Sequence, residues 1–434
     1  MNIEDKILNG VRTQELIDEI KNRLQNGESS GGGNTLDINP SSATIADYPN
    51  GTLWLTSSNN EANLFTKVNG RKYALRLEES LDEIALKFSS DSNFTLSAIK
   101  NWDGTLEYTT NNGNTWTTWD GSELSGTASQ PIYLRGTGNT VITGPTASSN
   151  SWTFTGKYCT GNIENLLDYQ TVANGEHPVM DKQCYDHMFY GCTSLTQAPE
   201  LPATTLASHC YSHMFRGCTS LTQAPELPAT TLTESCYSYM FYECTSLTQA
   251  PELPATTLAS LCYYFMFKGC TSLTQAPELP ATTVDNQCYD DMFYGCTSLT
   301  QAPELPATTL ATSCYQRMFQ GCTSLTQVPK LPATTLVYQC YQRMFQGCTS
   351  LTQVPELPAT TLASYCYAYM FQDCTSLKFS TTQTGEYQYA YRMPTTGTGT
   401  TATGAFTDMF KNTGGTFTSR PTINTTYYTT NQPV

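Results

Sequence analysis

Apolar residues between positions 184 and 377 recur with a fixed period of 26 residues. In the second copy Tyr211, Met214 and Phe215 stand at positions i, i+3 and i+4, a spacing that predicts a helical or 3₁₀ turn with one buried face. The eight copies begin at Cys184, Cys210, Cys236, Cys262, Cys288, Cys314, Cys340 and Cys366. A fixed period of about 20 to 50 residues is typical of stacked units that share one core. The pattern therefore predicts a solenoid of eight 26-residue coils over residues 184–377.

The phrase TSLTQAPELP in each copy predicts a short strand. In the second copy Leu221, Ala224 and Leu227 are the candidates for the core. Pro225 and Pro228 have no N–H to donate to a sheet, so we expect this strand to be brief and bent. Stacking the copies would place these strands side by side in one parallel sheet.

The N-terminal segment, residues 1–27, is charged and amphipathic and predicts two short helices. The second helix would carry an apolar stripe formed by Leu16, Ile17, Ile20 and Leu24. A helix of about a dozen residues is marginal alone in water, so this stripe requires a partner. We expect the segment to attach the protein to a larger assembly as a homo-oligomer, with a trimer favoured. Residues 28–33 are Gly- and Ser-rich, which is typical of a flexible linker.

Residues 34–157 contain short β-type runs separated by turn clusters, which predict one or two antiparallel β domains of sandwich type. Within them, TTNNGNTW (109–116) has the pattern of the hairpin turn called an Asp-box, with Asn111 in place of the aspartate and Trp116 as its anchor. We interpret this motif as scaffold rather than as a catalytic site. The whole chain is thus predicted to be mainly β after its short N-terminal helices.

Two segments flanking the repeats are predicted to cover the ends of the shared core. Residues 158–183 precede the first copy and contain GNIENLLDYQ. Residues 378–434 lack the repeat cysteines, but Ala405 and Phe406 echo the Cys-Tyr pair. Terminal units of a solenoid are usually atypical because they must close it.

The net charge of −15, from 37 acidic and 22 basic residues, argues against a nucleic-acid partner. No run of about 18 apolar residues occurs, so we expect no membrane span. The first residues lack the apolar region of a secretory signal, although the rest of the chain has the composition of an exposed β-rich protein.

Variation between the copies is concentrated just before the first cysteine, in the pair after Cys-Tyr, and in the residue after Met-Phe. A shared core would not tolerate such variation, so we expect these positions to face solvent. They are rich in Tyr, Arg, His and Gln, which suit the binding of sugars and proteins; drift on an unconstrained surface is the alternative. The candidate binding residues are Tyr190, Arg216, Tyr242, Lys268, Tyr294, His187, His213, Tyr239, Arg317, Arg343 and Tyr369.

Sixteen of the 17 cysteines belong to the repeats, with Cys159 as the exception. Zinc sites normally use closely spaced cysteine pairs, which are absent here, and the nearby His187, His209 and His213 have no counterparts in the later copies. Disulfides between stacked copies are possible by distance. Free thiols packed in the core are the interpretation we favour, since cysteine is among the most buried residue types. We therefore expect no metal and no cofactor.

A column of acidic residues recurs in the LPATT region, with Lys330 replacing it once. Its members are Glu200, Glu226, Glu252, Glu278, Glu304 and Glu356. Two stacked carboxylates approach the spacing of a retaining glycosidase pair, but a repeated column offers one environment where acid and base need two. Solvated charges that discourage aggregation are the interpretation we favour, and no catalytic residue is proposed.

The repeat LPATTLxxxCYxxMFxGCTSLT resembles the BspA-like leucine-rich repeat of surface proteins from gut and oral anaerobes and their phages. In that family LP, an aromatic pair and GCxxL recur in the same order, with Ala-Phe where this chain has Met214 and Phe215. The resemblance implies adhesion or binding to host surfaces, and it brings no catalytic residues.

Three functions follow as hypotheses. The first is a non-enzymatic phage virion fibre or decoration protein, which would join other virion proteins through its N-terminus and bind a host-surface glycan or protein. This is favoured because a virion protein needs no export signal. The second is a secreted or cell-surface bacterial adhesin, and the third is a depolymerase of surface polysaccharides.

Overall fold

The computed structural model describes residues 81–144, 151–394 and 402–434 in full, together with the backbone of four strands nearer the N-terminus. The chain divides into two compact units, Met1–Ser80 and Leu81–Val434. Among the described residues the only helices are α1 (Leu81–Ile84) and α2 (Asn165–Ala173), so this part is mainly β, as predicted. Neither is long or apolar enough to cross a membrane. The predicted N-terminal helices, with Leu16, Ile17, Ile20 and Leu24, and the linker lie outside the described residues.

The first unit contains one four-stranded sheet in the order β1-β2-β3-β4. Its strands are β1 (Leu36–Ile38), β2 (Leu53–Ser58), β3 (Glu61–Val68) and β4 (Arg71–Leu75). The β1–β2 pair is parallel and the other two pairs are antiparallel.

The second unit begins with two antiparallel sheets, ordered β12-β5-β10-β7-β8 and β11-β6-β9. Their strands are β5 (Leu86–Ser89), β6 (Phe94–Ala98), β7 (Thr105–Thr109), β8 (Thr117–Thr118), β9 (Leu124–Gly126), β10 (Ile132–Thr137), β11 (Trp152–Phe154) and β12 (Tyr158–Thr160). Alternate residues of β5 are buried, as expected for a sheet with one face in a core. Phe88 of the first sheet contacts Phe154 of the second, with ring centroids 5.2 Å apart. The antiparallel sheets predicted for this region are therefore confirmed.

The predicted hairpin turn at 109–116 joins β7 to β8. Asn111 takes the role of the usual aspartate, because its side-chain oxygen accepts hydrogen bonds from the Thr109 hydroxyl and the Thr115 amide. Gly113 has the positive φ that the turn requires. Trp116 is covered by the Arg135 guanidinium, 3.9 Å from its ring centroid. The motif is structural, as interpreted.

The Cys-Tyr-x-x-Met-Phe segments are not helical, contrary to the sequence prediction; each is a run of hydrogen-bonded turns. Alternate amides bond three residues back, as Met214 does to the Tyr211 carbonyl. The intervening amides donate to the next repeat, as Phe215 does to the Met240 carbonyl at 2.9 Å. Every fourth residue is left-handed, including His209, His213 and Gly217. The apolar residues reach the core through this turn geometry.

The predicted parallel strands are reduced to isolated bridges, such as Gln223 with Gln249. The prolines explain the difference, since Pro225 and Pro228 cannot donate to a ladder. Leu221 and Leu227 are buried as predicted, while Ala224 is only partly buried against the core. Successive copies are therefore held together mainly by the turns rather than by a sheet.

The apolar columns form one continuous core with the antiparallel sheets. Equivalent rings of neighbouring copies stack almost in parallel; the Phe241 and Phe267 centroids, for example, lie 5.6 Å apart. All 17 cysteines are buried and free of disulfides, which confirms the favoured interpretation. Cys270 donates its thiol to the Phe241 carbonyl at 3.0 Å, and burial raises the pKa of Cys322 to about 12. These thiols are scaffold.

The segments flanking the array hydrogen-bond to its first and last copies. Tyr158 bridges to Gln197, and the Tyr367 amide donates to the carbonyl of Ala405. The ring centroids of Phe406 and Tyr367 are 6.0 Å apart and the rings are stacked. The degenerate copy of the repeat at Ala405 and Phe406 therefore continues the aromatic column. A four-stranded sheet then follows, in the order β14-β16-β13-β15. Its strands are β13 (Lys378–Ser380), β14 (Tyr389–Arg392), β15 (Gly414–Gly415) and β16 (Thr426–Thr429).

Candidate functional site

Two neighbouring columns of variable residues run along the array, and we call them together the ladder. The left-handed column is the third residue after each first cysteine: His187, His213, Tyr239, Phe265, Asp291, Arg317, Arg343 and Tyr369. The second column, three residues later, holds Tyr190, Arg216, Tyr242, Lys268, Tyr294, Gln320, Gln346 and Gln372. All eight residues of the left-handed column have positive φ, so the turns rather than the residue types fix their direction. All eleven predicted binding residues belong to the ladder.

The N-terminal end of the ladder is a stack of rings. The centroids are 4.2 Å apart for His187 and His213, 4.5 Å for His213 and Tyr239, and 4.8 Å for Tyr239 and Phe265. All three pairs are close to parallel. Burial is the main cause of the lowered pKa of His213, which keeps its imidazole neutral near pH 7. This end therefore offers ring edges and the neutral imidazole of His213.

Cations lie over aromatic rings along the second column. The Arg216 guanidinium is 4.5 Å from the ring centroid of Tyr242. Lys268 lies between two rings, 4.3 Å from Phe265 and 4.1 Å from Tyr294. Such contacts hold a cation in place without neutralising it.

A third cation of this kind is Arg343, which lies 4.5 Å from the ring centroid of Tyr369. Among the described residues, neither Arg343 nor Arg216 forms an ion pair with a carboxylate. These two guanidinium groups are consequently available to an anionic ligand.

A buried acidic pair lies at the middle of the ladder and consists of the ladder residue Asp291 and its neighbour Asp290. Asp290 and Asp291 are 0% and 1% exposed. Arg317 contacts both carboxylates, at 3.3 and 2.6 Å, and Lys268 contacts Asp291 at 3.3 Å. Burial, followed by the neighbouring Asp291, raises the pKa of Asp290 to about 8. Since both carboxylates are covered, they are not accessible to a ligand.

The prediction that both residues after Cys-Tyr face solvent is wrong for the first of them. That position is buried in most copies, where it holds Asp186, Ser212, Ser238, Asp290, Gln316, Gln342 and Ala368. The predicted ladder residues are themselves partly buried; the His213 side chain, for example, is 21% exposed. The ladder is thus a packed surface that presents the edges of its side chains.

Sequence reasoning missed two members of the left-handed column, Phe265 and Asp291, although it found their neighbours Tyr239 and Arg317. Both occupy the position three residues after the first cysteine. Reading that position through all eight copies would have identified them. It also missed the buried Asp186, for which the sequence carries no burial signal.

The glutamate column is exposed along its length, as expected for solvated charges. A shallow groove lies between two copies and is lined by Glu278 and Glu304 together with prolines. The two carboxylates occupy the same position in adjacent copies, so they share one environment. A general acid and a general base require two different environments.

Only one group of described residues has the composition and closeness of a metal site: Asp186, His187 and His213, whose candidate ligand atoms lie within 4.8 Å of one another. All three belong to the first two copies of the repeat. The histidines are also the first two members of the left-handed column.

Comparison with known proteins agrees with the repeat geometry. Residues 182–302 and 286–391 match the family model of the BspA type leucine rich repeat region, with six copies. Searches of curated proteins and of solved structures gave no significant match. The matched residues make up slightly less than half of the chain and include the whole ladder. The repeats are therefore BspA type leucine-rich repeats, as the sequence resemblance implied.

Proposed function

We propose that this protein is a non-enzymatic, surface-displayed binding protein whose ladder holds an acidic glycan of a host surface. Repeats of the BspA type suggest a surface protein that binds or adheres. The observation that carries the proposal is the ladder itself, in which stacked rings and ring-bound cations continue from copy to copy. A single copy would offer one weak contact, whereas eight copies in register offer a row whose contacts add through avidity.

The chemistry of the ladder favours an anionic, extended ligand. Stacking covers the ring faces of His213 and Tyr239, so the accessible parts are edges, hydroxyls and N–H groups. Arg216 and Arg343 supply uncompensated positive charge, although the net charge of the chain is −15. They belong to the second and seventh copies, about five strand spacings or ~24 Å apart. A ligand that reaches both must be a polymer, and a host-surface protein is the other candidate.

We infer that the architecture behind this surface is a solenoid of eight coils closed at both ends. The regular hydrogen bonds between equivalent turns support it, as do the contacts of residues 158–183 and 378–434 with the terminal copies. In this arrangement every coil contributes one rung, so the number of coils sets the length of the binding row.

Two surfaces are candidates for display. BspA type repeat proteins are typically surface-associated bacterial proteins, and this supports the bacterial cell surface. A phage virion fibre, attached through residues 1–27 and oligomeric as a trimer, stays a prediction from the sequence. Electron micrographs of cells and of virus particles labelled with antibody to residues 184–377 distinguish the two. Label on particles supports the fibre, and label on uninfected cells supports the adhesin.

Binding of the intact chain to an acidic polysaccharide tests the function directly. Its matched control is the same polymer after chemical reduction of its carboxyl groups to alcohols, which removes charge and keeps the sugar backbone. We expect saturable binding to the acidic polymer, weakened by salt, and at least about tenfold weaker binding to the reduced one. Equal binding to both polymers contradicts the charge argument. Shortening of the polymer during the assay would indicate the depolymerase instead.

A further inference from the structure

We propose that Asp186, His187 and His213 bind one divalent transition-metal ion of the zinc class at the N-terminal end of the ladder. The Asp186 Oδ1 atom lies 2.8 Å from Nδ1 of His187 and 3.5 Å from Nδ1 of His213. The three side chains come from two consecutive copies, so the stacking of the array builds the site. Its existence does not depend on the ligand proposed for the rest of the ladder.

Within the part of the chain that the structure describes, the buried Asp186 carboxylate has no charged partner other than the two histidines. Asp186 is 5% exposed, and its Oδ1 atom and His187 Nδ1, which lie 2.8 Å apart, have no further hydrogen-bond partner in this part of the chain. A buried carboxylate is costly unless a positive charge lies beside it. A metal ion at the point of convergence supplies that charge and is a partner for all three side chains at once.

The fifth copy shows what a buried aspartate at this position requires. Asp290 is the equivalent of Asp186, and there the positive charge comes from Arg317, 3.3 Å from the carboxylate. At Asp186 no lysine or arginine of the described residues forms an ion pair; only the two histidines do. The same position in the protein therefore faces a guanidinium in one copy and two metal-binding imidazoles in another.

The donor set fits zinc, nickel or cobalt better than magnesium or calcium. Two imidazole nitrogens with one carboxylate oxygen suit zinc, nickel and cobalt, whereas magnesium and calcium prefer a ligand set made only of oxygen atoms. The His187 and His213 side chains are 18% and 21% exposed, so a fourth position is open to water. The later copies lack the set, because the column of His187 contains no histidine after His213. The aspartate of the fifth copy therefore has Asp291 and Arg317 where Asp186 has the two histidines.

Binding requires a local rearrangement that can be measured. The two imidazoles are stacked with an angle of 11° between their planes. Each nitrogen lone pair lies in its own ring plane, so an ion at about 2.1 Å from both nitrogens requires the rings to tilt. The ion also replaces the Ser212 hydroxyl, which now lies 2.8 Å from Nδ1 of His213.

The test is calorimetric titration of the intact, chelator-treated chain with zinc chloride and with magnesium chloride. We expect one equivalent of zinc to bind, no magnesium binding, and a melting temperature that rises with zinc concentration. The variants are Asp186→Asn and His213→Gln. The matched control is His209→Gln, which changes a histidine of the same copy outside the cluster. Zinc affinity should fall at least about tenfold in the two variants and stay unchanged in the control.

Cobalt substitution identifies the ligands, since the chain also contains 17 cysteines. The visible spectrum of the cobalt-loaded protein should show a nitrogen and oxygen ligand field, and thiolate charge-transfer bands should be absent. Thiolate bands, an unchanged zinc affinity in both variants, or no zinc binding by the wild-type chain would each overturn the proposal. The circular dichroism of each variant verifies that it is folded before its affinity is compared.

Discussion

The core columns and the ladder are built on the same turns, yet they differ in how far the residue type stays the same from copy to copy. Phe267 in the core and Phe265 in the ladder are two residues apart, and each stacks on its equivalent in the preceding copy, at 5.6 and 4.8 Å. The core repeats one residue type from copy to copy, because each side chain fills a closed space. The ladder changes residue type at most steps, because the turns fix the direction of its side chains and leave their edges open. The backbone therefore supplies position in both regions, and only the ladder is free to acquire function.

The largest expected effect is the difference in stability loss when each of these two phenylalanines is replaced by alanine. Phe267→Ala removes a fully buried ring and leaves a cavity, which should cost about 3–5 kcal/mol of unfolding free energy. Phe265→Ala, the matched change in the partly buried ladder, should cost about 1–2 kcal/mol. Urea unfolding followed by circular dichroism measures both. Equal losses would show that the ladder is as tightly constrained as the core.

The acidic pair gives the ladder a pH dependence that the core lacks. The pKa of Asp290 is about 8 in the folded chain, above its unfolded value, so the native state holds a proton that the unfolded chain loses. The stability contributed by this group should therefore fall as pH rises from about 4, the ordinary pKa of a carboxyl group, to about 8.

Asp290→Asn should remove this contribution, while the exposed Glu278→Gln serves as its control. Asp291, Arg317 and Gln287 are the polar groups that act on Asp290, and Lys268 contacts Asp291. Urea midpoints measured at several pH values give the slope for each protein. A slope in Asp290→Asn equal to that of the wild type would refute the assignment.

A smaller effect tests the claim that left-handed residues fix the turns. Gly295 has φ of 72°, and an added Cβ would meet nothing within 4 Å. Gly295→Ala should therefore cost about 1–2 kcal/mol through backbone conformation alone. Glu243 stands at the equivalent position with φ of 58°, so Glu243→Gly should stabilise by up to about 1 kcal/mol. Thermal unfolding measures both changes: a lower melting temperature for Gly295→Ala and a higher one for Glu243→Gly support this explanation. Shifts of the same sign in both variants contradict it.

The smallest effect concerns the buried thiols. Cys270→Ser should cost only about 1 kcal/mol, since the hydroxyl can donate to the Phe241 carbonyl that now accepts the thiol. Cys270→Ala removes that donor and should cost more. Urea midpoints measure both losses. A larger loss for Cys270→Ser than for Cys270→Ala would mean that the thiol contributes to stability only through its volume and not through its hydrogen bond. Native protein should also resist a thiol reagent that reaches all 17 cysteines after denaturation.

The sequence predicted which repeat residues are buried better than it predicted how the chain buries them. Tyr211, Met214 and Phe215 are buried as their spacing indicated, but the helix was wrong. L-amino acids rarely adopt positive φ, so the left-handed conformation of residues such as Leu261 and Phe265 could not be predicted from their residue types. The hydrogen bonds between copies stabilise that conformation, and they exist only after stacking.

The candidate site was predictable to the same degree. Variation between copies located the ladder, because side chains that fill a shared core cannot vary. It could not reveal that Asp186 lies buried beneath His187 and His213, since that contact joins two copies. Contacts between copies depend on the rotation of each turn, which the repeat period does not encode.

The most direct measurement of the central claim compares two double variants for binding to the acidic polysaccharide. One carries Arg216→Gln and Arg343→Gln, which remove the unpaired cations of the ladder. The other carries Lys330→Gln and Arg420→Gln, which remove the same charge from exposed positions outside the ladder. We predict about 10- to 100-fold weaker binding for the first and a change below about twofold for the second. Equal loss in both variants would show that overall charge, rather than the ladder, carries the binding.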